Sequence, residues 1–283
     1  MVRIYLTCTV LLLCGSLLGQ YHEVGVGLGV AGYYGDLSPK NTIRVASQWN
    51  VSSGLFYTFN LSPHFAARVN ASYATVSGTD QHYTNPVEIK ARNLSFRSRI
   101  IETGLMLQVN LLPFVVSEKK QPYTFFLQGG IAGFHFNPKA KYQGKWYALQ
   151  PLGTEGQGVI PEKKLYRKYA LGFPFGIGAK FTMTPRILFG IEINLIPTQT
   201  DYLDEVSTTY VSPILLEQTH GEMAKNLSNR TMDLSGNTID RTGTDRGNAG
   251  SKDWYSIGML VVSYRFISEK PSKESSYLFD KWL

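Results

Sequence analysis

The sequence predicts an all-β fold, an eight-stranded antiparallel transmembrane β-barrel with long extracellular loops and a short periplasmic C-terminal tail. Three observations support this prediction. Apolar side chains recur at every second position in successive segments, and the positions between them hold mostly Gly, Ser, Asn, Gln and Ala. No stretch after the N-terminus is apolar for the eighteen or more residues of a membrane-spanning helix. A soluble sandwich also alternates, but its outer face is usually rich in charge, so a lipid-facing exterior is favoured.

The N-terminus has the pattern of a secretory signal peptide. Arg3 precedes an apolar run that is too short to span a membrane, and small residues precede a cleavage point after Gly19. A lipoprotein anchored through Cys14 is the alternative, although a large residue precedes that cysteine. Both cysteines of the chain, Cys8 and Cys14, lie in this segment. The mature chain would therefore lack disulfides, thiol catalysis and cysteine metal sites.

The predicted domains are a signal peptide at 1–19, the barrel at 20–267 and a periplasmic tail at 268–283. The formal net charge is +7, to which Arg3 contributes one. A positive exported chain suits the phosphates of lipopolysaccharide at least as well as nucleic acid. We therefore expect the outer membrane of a Gram-negative bacterium as the location, its lipid and lipopolysaccharide as surroundings, and no nucleic-acid partner.

The first strand is predicted in the glycine-rich stretch from Glu23 to Leu37. Gly27 to Gly32 match the G-x-G-x-x-G pattern of a dinucleotide-binding turn. Turn-forming residues follow where a helix should start, and no acidic residue stands between Asp36 and Asp80, which excludes that function. The even positions from Val24 to Val30 are apolar instead, with glycines between them. We expect these glycines to face inward and to make room for neighbouring side chains.

Seven further segments follow the same period of two. Six have one apolar face each, formed by the odd positions of Ile43 to Leu61, Phe65 to Tyr73, Ile101 to Leu111, Tyr123 to Ile131, Tyr169 to Phe181 and Ile187 to Leu195. The eighth strand, Trp254 to Phe266, is apolar at both parities, so its two faces are left open. Two irregularities predict bulges: Pro174 inside the sixth strand, and a change of parity between Phe96 and Ile101 in the fourth.

The connections between these strands alternate in length. They run over 35–42, 62–64, 77–92, 112–122, 138–165, 182–186 and 198–252. Outer-membrane barrels have short periplasmic turns and longer extracellular loops, so we expect both termini in the periplasm. The fifth connection carries aromatic residues among lysines and is expected to contact lipopolysaccharide or to pack over the barrel mouth. The seventh is expected to be a mobile extracellular segment.

Four charged residues are predicted to face the interior, namely Arg68, Glu102, Lys180 and Glu192. Eight strands leave an interior that side chains fill, so a diffusion pore is not expected. Because a buried unpaired charge is costly, we expect the two bases and the two acids to pair. A proton or ion path is the alternative.

No catalytic, cofactor or metal site is predicted. The five histidines lie at strand ends or in different loops and show no metal-ligand spacing. His135 has the position near the outer rim at which lipid-modifying barrel enzymes hold a catalytic histidine. Its neighbours Phe134, Phe136 and Asn137 supply neither a nucleophile nor a second base. The chain is therefore expected not to be an enzyme.

Four irregular strings stand in the predicted loops: WYALQPLGTEGQG at 146–158, TDYLDEVSTTY at 200–210, RNLSFRS at 92–98 and GDL at 35–37. On these strings the chain resembles the PorG-type outer-membrane proteins of the Bacteroidota type IX secretion system. The residues that carry most of the resemblance form what we call the family-motif loop: Trp146, Tyr147, Leu149, Gln150, Pro151, Leu152, Gly153, Thr154, Glu155 and Gly156.

The resemblance implies a non-enzymatic barrel that accompanies a periplasmic ring of PorK and PorN subunits in protein export. A small barrel that acts at the cell surface as a lipid-modifying enzyme or an adhesin is the alternative. The tail is a candidate partner contact, since apolar side chains free in water are a liability; folding back on the barrel is the alternative. Its large apolar residues are Tyr277, Leu278, Phe279, Trp282 and Leu283.

Overall fold

The computed structural model describes residues 21–38, 48–82, 91–114, 122–236 and 239–266. Its strands are β1 (Tyr21–Tyr34), β2 (Asn50–Asn60), β3 (Phe65–Thr79), β4 (Ser95–Asn110), β5 (Tyr123–Tyr142), β6 (Lys145–Ala148), β7 (Tyr169–Gly172), β8 (Phe175–Thr182), β9 (Ile187–Pro197) and β10 (Trp254–Phe266). Its helices are α1 (Pro213–His220), α2 (Glu222–Ser228) and α3 (Met232–Ser235), with 3₁₀ turns at Asp80–His82 and Gln150–Leu152. None of these helices in the described ranges is long and apolar enough to cross a membrane.

The strands form one antiparallel sheet that closes on itself. β1 pairs with β2 on one side and with β10 on the other, and the ring continues through β3, β4, β5, β8 and β9. β7 extends β8 along the same neighbour, β5, and β6 forms a hairpin with the end of β5. The ring therefore has eight positions, and the predicted eight-stranded antiparallel barrel is confirmed.

The two ends of the barrel differ in their connections. The short-turn end has the connections 61–64, 111–122 and 183–186, and β1 starts and β10 finishes there. The long-loop end has the connections 35–49, 80–94, 143–168 and 198–253. The predicted alternation of long and short connections is confirmed. The predicted tail lies outside the described residues.

The outer wall of the barrel is apolar. In β4 every second side chain from Phe96 to Asn110 is buried, and the alternate side chains face outward. Leu28, Val51 and Leu107 on three different strands expose 69%, 71% and 68% of their surface. Such an outward band is typical of a barrel that faces lipid, whereas in water it would be an unusually large apolar patch.

Gly25, Gly27 and Gly29 of β1 lie on its inward face, as predicted. A Cβ atom added to Gly25 would lie 2.3 Å from Cζ of Phe56. One added to Gly27 would lie 2.9 Å from Sδ of Met259. Both distances are well below van der Waals contact. The glycine pattern that matches a phosphate loop is therefore part of a barrel strand, with Gly27 and Gly29 on its inner face.

The bulge predicted at Pro174 is wrong. Gly172 lies opposite Ala132, and Phe175 lies opposite Gly129, so the register along β5 is the same on both sides of the proline. A β5 amide still donates to the carbonyl oxygen of Pro174 at 2.9 Å. Proline removes only its own N–H from the ladder, and the strand divides into β7 and β8 without an extra residue.

The bulge predicted in β4 is also wrong. β4 keeps one register against β3, with Phe96 opposite Gly78 and Ile101 opposite Tyr73. The parity of the apolar residues changes because the interior itself becomes apolar toward the long-loop end. Phe96 and Ile100 face inward there, and arginines take the outward positions beside them.

The interior has two zones. The zone at the long-loop end is a hydrophobic core of Ala31, Tyr33, Leu37, Ala74, Val76, Leu94, Phe96, Ile100, Phe134, Phe136, Ile196, Leu203, Val206, Tyr255 and Ile257. The zone toward the short-turn end is polar and holds the interior charges. The last strand contributes to both zones, because its odd positions from Tyr255 to Arg265 face inward while Leu260 and Val262 face outward. This settles the faces that the sequence left open.

Gly130→Ala is expected to destabilise the barrel by about 1–3 kcal/mol, as overpacking does. A Cβ atom at this position of β5 would lie 1.9 Å from the carbonyl oxygen of Leu105, a backbone atom that cannot rotate away. Gly133→Ala on the same strand is the control, because its Cβ would meet nothing within 4 Å. Urea unfolding of the refolded chain in detergent micelles measures both variants. Equal unfolding midpoints would contradict this packing.

Candidate functional site at the long-loop end

The predicted interior charges face inward, but they do not form two pairs. Arg68 Nη1 lies 2.6 Å from Glu192 Oε2, which confirms one pair. Among the described residues Glu102 has no basic partner. Its carboxylate accepts hydrogen bonds from the hydroxyl of Tyr255 and from Asn70 Nδ2 at 3.1 Å. The sequence predicts a basic partner for Glu102, whereas its hydrogen-bond donors are neutral.

Lys180 lies in a second charged group near the short-turn end. Within the described ranges its Nζ has no hydrogen-bond partner, and it lies 4.7 Å from the centroid of the Phe114 ring. Glu23 accepts a hydrogen bond from Asn60 Nδ2 (3.2 Å) and lies 4.0 Å from Arg265 Nη2. Arg265 was missed because the sequence left the faces of the last strand open.

Side chains fill the interior between these charges. A cavity of about 20 Å³ remains beside Arg68, Glu102 and Glu192, which is room for about one water molecule. A cavity of this size fits a barrel that is packed by its own side chains.

The described parts of the four long connections fold together over the barrel mouth, and we call this assembly the cap. The expectation that the seventh connection is a mobile segment is wrong, because this connection contains α1, α2 and α3. Ser212 caps α1 by accepting a hydrogen bond from the amide of Leu215. Leu216, Ala224 and Leu227 of these helices are buried. A long polar sequence with few apolar residues thus covers the mouth as ordered structure.

Glycines shape the family-motif loop. Gly153, Gly156 and Gly158 have φ angles of 53°, 85° and 79°, in the left-handed region that glycine enters without steric cost. A Cβ atom on Gly153 would also lie 2.3 Å from the carbonyl oxygen of Gln157. These turns place the fully buried side chain of Glu155 inside the cap.

Glu155 joins the family-motif loop to the seventh connection. Its carboxylate accepts hydrogen bonds from Ser207 N (2.8 Å), Thr208 N (2.9 Å) and Thr208 Oγ1 (2.7 Å). It also pairs with Arg246 Nη1 at 3.0 Å, and both side chains are almost completely buried. Arg246 donates further to backbone carbonyl oxygens of the same connection. One carboxylate therefore holds two distant parts of the last connection.

Arg92 joins the first, third and seventh connections. Its guanidinium donates two hydrogen bonds to Asp80, at 2.7 and 2.9 Å, the strong geometry of a planar fork on a carboxylate. It also donates to the carbonyl oxygens of Asp36 (3.0 Å) and Arg246. The Asp36 carboxylate accepts a hydrogen bond from Asn248 N at 2.8 Å. Burial raises the pKa of Asp80, although the Arg92 guanidinium opposes the rise.

Two carboxyl groups share one tyrosine hydroxyl at the base of the cap. Tyr33 OH lies 2.6 Å from Asp204 Oδ2 and 2.9 Å from Asp253 Oδ1. The hydroxyl has one proton to donate, so the other carboxyl must itself carry a proton to complete the second hydrogen bond. Burial first, and then a neighbouring carboxylate, hold the pKa values of Asp204 and Asp253 well above their usual range.

Glu205 is buried beside Tyr166. It has a left-handed backbone conformation with a φ of 65°, and it accepts a hydrogen bond from the Tyr166 hydroxyl. The Tyr166 ring stacks on Tyr202 and on Phe136, with 4.5 and 6.0 Å between centroids. Burial raises the pKa of Glu205 from 4.5 to about 8. Burial also raises the pKa of Asp201 to about 6.

The cap's buried polar groups bind one another, and their arrangement serves to hold the connections together. Among the described residues no group of three or more His, Cys, Asp or Glu is arranged to hold a metal ion. His135 faces outward on β5, with its ring centroid 4.8 Å from that of Tyr169.

The family-motif residues divide between the inside and the outside of the cap. Leu149 and residues 153–156 are buried. Trp146 is exposed on the outer side, and its ring centroid lies 5.1 Å from the guanidinium carbon of Arg97. The partner-contact residues Tyr277, Leu278, Phe279, Trp282 and Leu283 lie outside the described residues. Sequence reasoning did not assign Tyr33, Arg92, Asp204, Arg246 or Asp253. The one available signal was that Arg92 and Asp204 stand in the strings that carry the resemblance.

A family model described as Domain of unknown function (DUF6089) matches residues 2–211. No curated protein matches the chain. Among solved structures, Neisserial surface protein A (NspA) is similar at a TM-score of 0.41 and 8% identity, over 87% of this chain and 97% of that one. OprG of Pseudomonas aeruginosa has a TM-score of 0.39 and 9% identity, over 88% and 98%. Ail of Yersinia pestis has a TM-score of 0.38 and 8% identity, over 88% and 100%.

Glu155→Ala is expected to lower the free energy of unfolding by about 3–5 kcal/mol, because it leaves the buried charge of Arg246 without its partner. Glu217→Ala is the control. Its pair with Lys225 (2.7 Å) lies at the surface, where such pairs contribute about 1 kcal/mol or less. Urea unfolding in detergent micelles compares the two variants. An equal loss in both would show that the cap does not depend on the buried pair.

Raising the pH from 6 to 9 is expected to lower the free energy of unfolding by on the order of 1–3 kcal/mol, because Glu205 loses its proton in the folded state. Its pKa is about 8 in the folded state against an ordinary 4.5. The folded state therefore keeps a proton that the unfolded state has released, and this contribution is lost as the pH rises through 8. Between the two pH values the free energy of unfolding should fall less for Glu205→Gln than for the exposed control Glu162→Gln. The same fall in both variants would be evidence against a raised pKa.

Proposed function

This chain belongs to the family described as Domain of unknown function (DUF6089), and we propose that it is a non-enzymatic outer-membrane barrel of the type IX protein secretion machinery, associated with the PorK and PorN ring. The observation that supports this role is a filled barrel whose mouth is covered by a cap held by the buried Glu155–Arg246 pair. Such a molecule offers its two ends to other proteins rather than a route for solutes.

The outer membrane is the proposed location, with the short-turn end in the periplasm. The apolar outer wall supports insertion into lipid, and barrels of this class carry their longer loops outside the cell. Single cysteines test the orientation, because the chain's own Cys8 and Cys14 lie in the predicted signal peptide. Ser251 is exposed at the long-loop end, and Arg186 is exposed in a short turn.

A membrane-impermeant maleimide added to intact cells is expected to label Ser251→Cys. Arg186→Cys should be labelled only after the outer membrane is permeabilised, since its turn would lie in the periplasm. Labelling is read by mass shift of the purified chain. The reverse pattern would place the short-turn end outside the cell and would contradict the proposed orientation.

The ring contact is proposed at the short-turn end. β10 finishes there with Phe266, so the tail at 268–283 continues from that end. The five large apolar side chains near its terminus suit docking to a protein partner, which would shield them from water.

Co-purification from outer membranes tests the association. The tagged full chain is expected to recover PorK and PorN, and deletion of 268–283 is expected to reduce that recovery several-fold. The control replaces only 268–276 with a Gly/Ser linker of equal length, which keeps the apolar cluster and should retain the ring. Unchanged recovery after deletion would refute docking through the tail. No recovery by the full chain, together with intact export in a knockout, would refute the secretion role and favour a surface enzyme or adhesin.

A further inference from the structure

A group of basic side chains lies on the outer wall at the long-loop end. We call it the basic patch, and it consists of Arg97 and Arg99 on β4 with Lys139 and Lys141 on β5. Arg97 lies opposite Lys139, and Lys141 lies opposite Trp146 of β6. Opposed residues in an antiparallel pair share one face, and neighbouring strands are about 5 Å apart. The four charges therefore form one compact outward-facing group.

The basic patch borders the apolar band of the outer wall. The outward position of β4 next to Arg99 is Ile101, which exposes 60% of its surface. Outward residues along a strand follow one another at about 7 Å, so Arg99 lies one step and Arg97 two steps from the lipid-facing band. Trp146 is 45% exposed and lies beside Arg97, as tryptophan does at the interface of a membrane with water. The basic patch therefore lies at the depth of the lipid headgroups.

The described cross-strand neighbours of the basic patch do not compensate its charge. Its cross-strand neighbours on the outward face are Thr75, Ser77, Asn137 and Ala148, none of them acidic. Asp233 is held by Arg230 at 2.6 Å, and Arg230 itself donates to the carbonyl oxygen of Lys141 at 3.3 Å. Four cations without a carboxylate among these described neighbours repel one another and create a positive potential that attracts an anion.

The opposite wall has a different rim. The last outward residues before the long connections are Pro197 on β9, Trp254 on β10 and Tyr34 on β1, which lie side by side. They carry no charge. Among the described strand ends, the charge of the basic patch is therefore not continued on the wall formed by β9, β10 and β1.

We propose that the basic patch binds the phosphate groups of lipid A, the lipid part of lipopolysaccharide, in the outer leaflet. Guanidinium groups match phosphate oxygens with two parallel hydrogen bonds, so Arg97 and Arg99 supply the directed contacts. Lys139 and Lys141 add point charges, and Trp146 covers one side of the site. The inference deepens the proposed function, since it rests on the orientation that places the long-loop end in the outer leaflet.

The experiment measures binding of diphosphorylated lipid A to the refolded full chain in detergent micelles. The test variant combines Arg97→Gln, Arg99→Gln and Lys141→Gln. The control removes the same charge elsewhere by combining Arg186→Gln, Arg241→Gln and Lys252→Gln. Equal urea midpoints for the two variants establish that both are folded. Dephosphorylated lipid A and inorganic phosphate serve as the comparison ligands.

The wild-type chain is expected to bind diphosphorylated lipid A roughly tenfold or more tightly than the dephosphorylated lipid, the scale of one or two charged hydrogen bonds. The test variant should lose that preference, and the control should keep it within about twofold. An equal loss of the preference in both variants would show that it depends only on net charge and would overturn the site. An undiminished preference in the test variant would overturn it as well. Inorganic phosphate competing at the same concentration as lipid A would overturn the lipid as its source.

This outcome is separable from that of the ring experiment. A test variant that loses lipid A but still recovers PorK and PorN supports the patch and leaves the secretion role standing. A wild-type chain that shows no preference for phosphorylated lipid, yet recovers the ring, overturns the patch alone.

Discussion

The width of the barrel interior is the constraint on which the rest of the structure depends. Eight strands enclose a space that side chains fill, so a large inward side chain needs a small residue or a partner opposite it. Gly25 makes room for Phe56, and Arg68 reaches across to Glu192. Toward the long-loop end aromatic and aliphatic side chains fill the same space, and the cap packs on them. A wider ring would leave the cap without the hydrophobic core that serves as its floor.

The cap solves a different problem, since it must bury polar loop segments above that floor. It does so with two arginines that each bind a carboxylate, Arg92 with Asp80 and Arg246 with Glu155. The remaining buried acids are satisfied mainly by hydroxyl groups and backbone amides, and burial raises their pKa values although these hydrogen bonds oppose the rise. A raised pKa favours the neutral acid, which needs no basic partner. Among the described buried side chains, the cap accordingly holds more carboxyl groups than cations.

The strands could be predicted from the sequence because lipid imposes one chemistry on the outward positions of all eight strands. The same rule misled wherever the inside of the barrel is also apolar. Phe96 faces inward yet looks like an outward residue, which produced a false bulge, and the last strand was ambiguous for the same reason. The sequence predicts packing of the fifth connection over the mouth as one of two alternatives, but the contacts that hold the cap together could not be predicted. Glu155 binds groups 52 to 91 positions away, and no local period in the sequence records a contact of that separation.

Closure of the ring has a consequence for how the chain folds. β1 pairs with β10, and Tyr33 at the end of β1 binds Asp253, 220 positions later and directly before β10. Contacts between such distant positions slow folding. Until the last strand arrives, β1 presents an unpaired edge to other chains, and the mouth lacks the residues that complete its cover. Sealing of the wall and of the mouth is thus one late step, and a chain cut short before β10 would expose an open sheet edge and an uncovered core together.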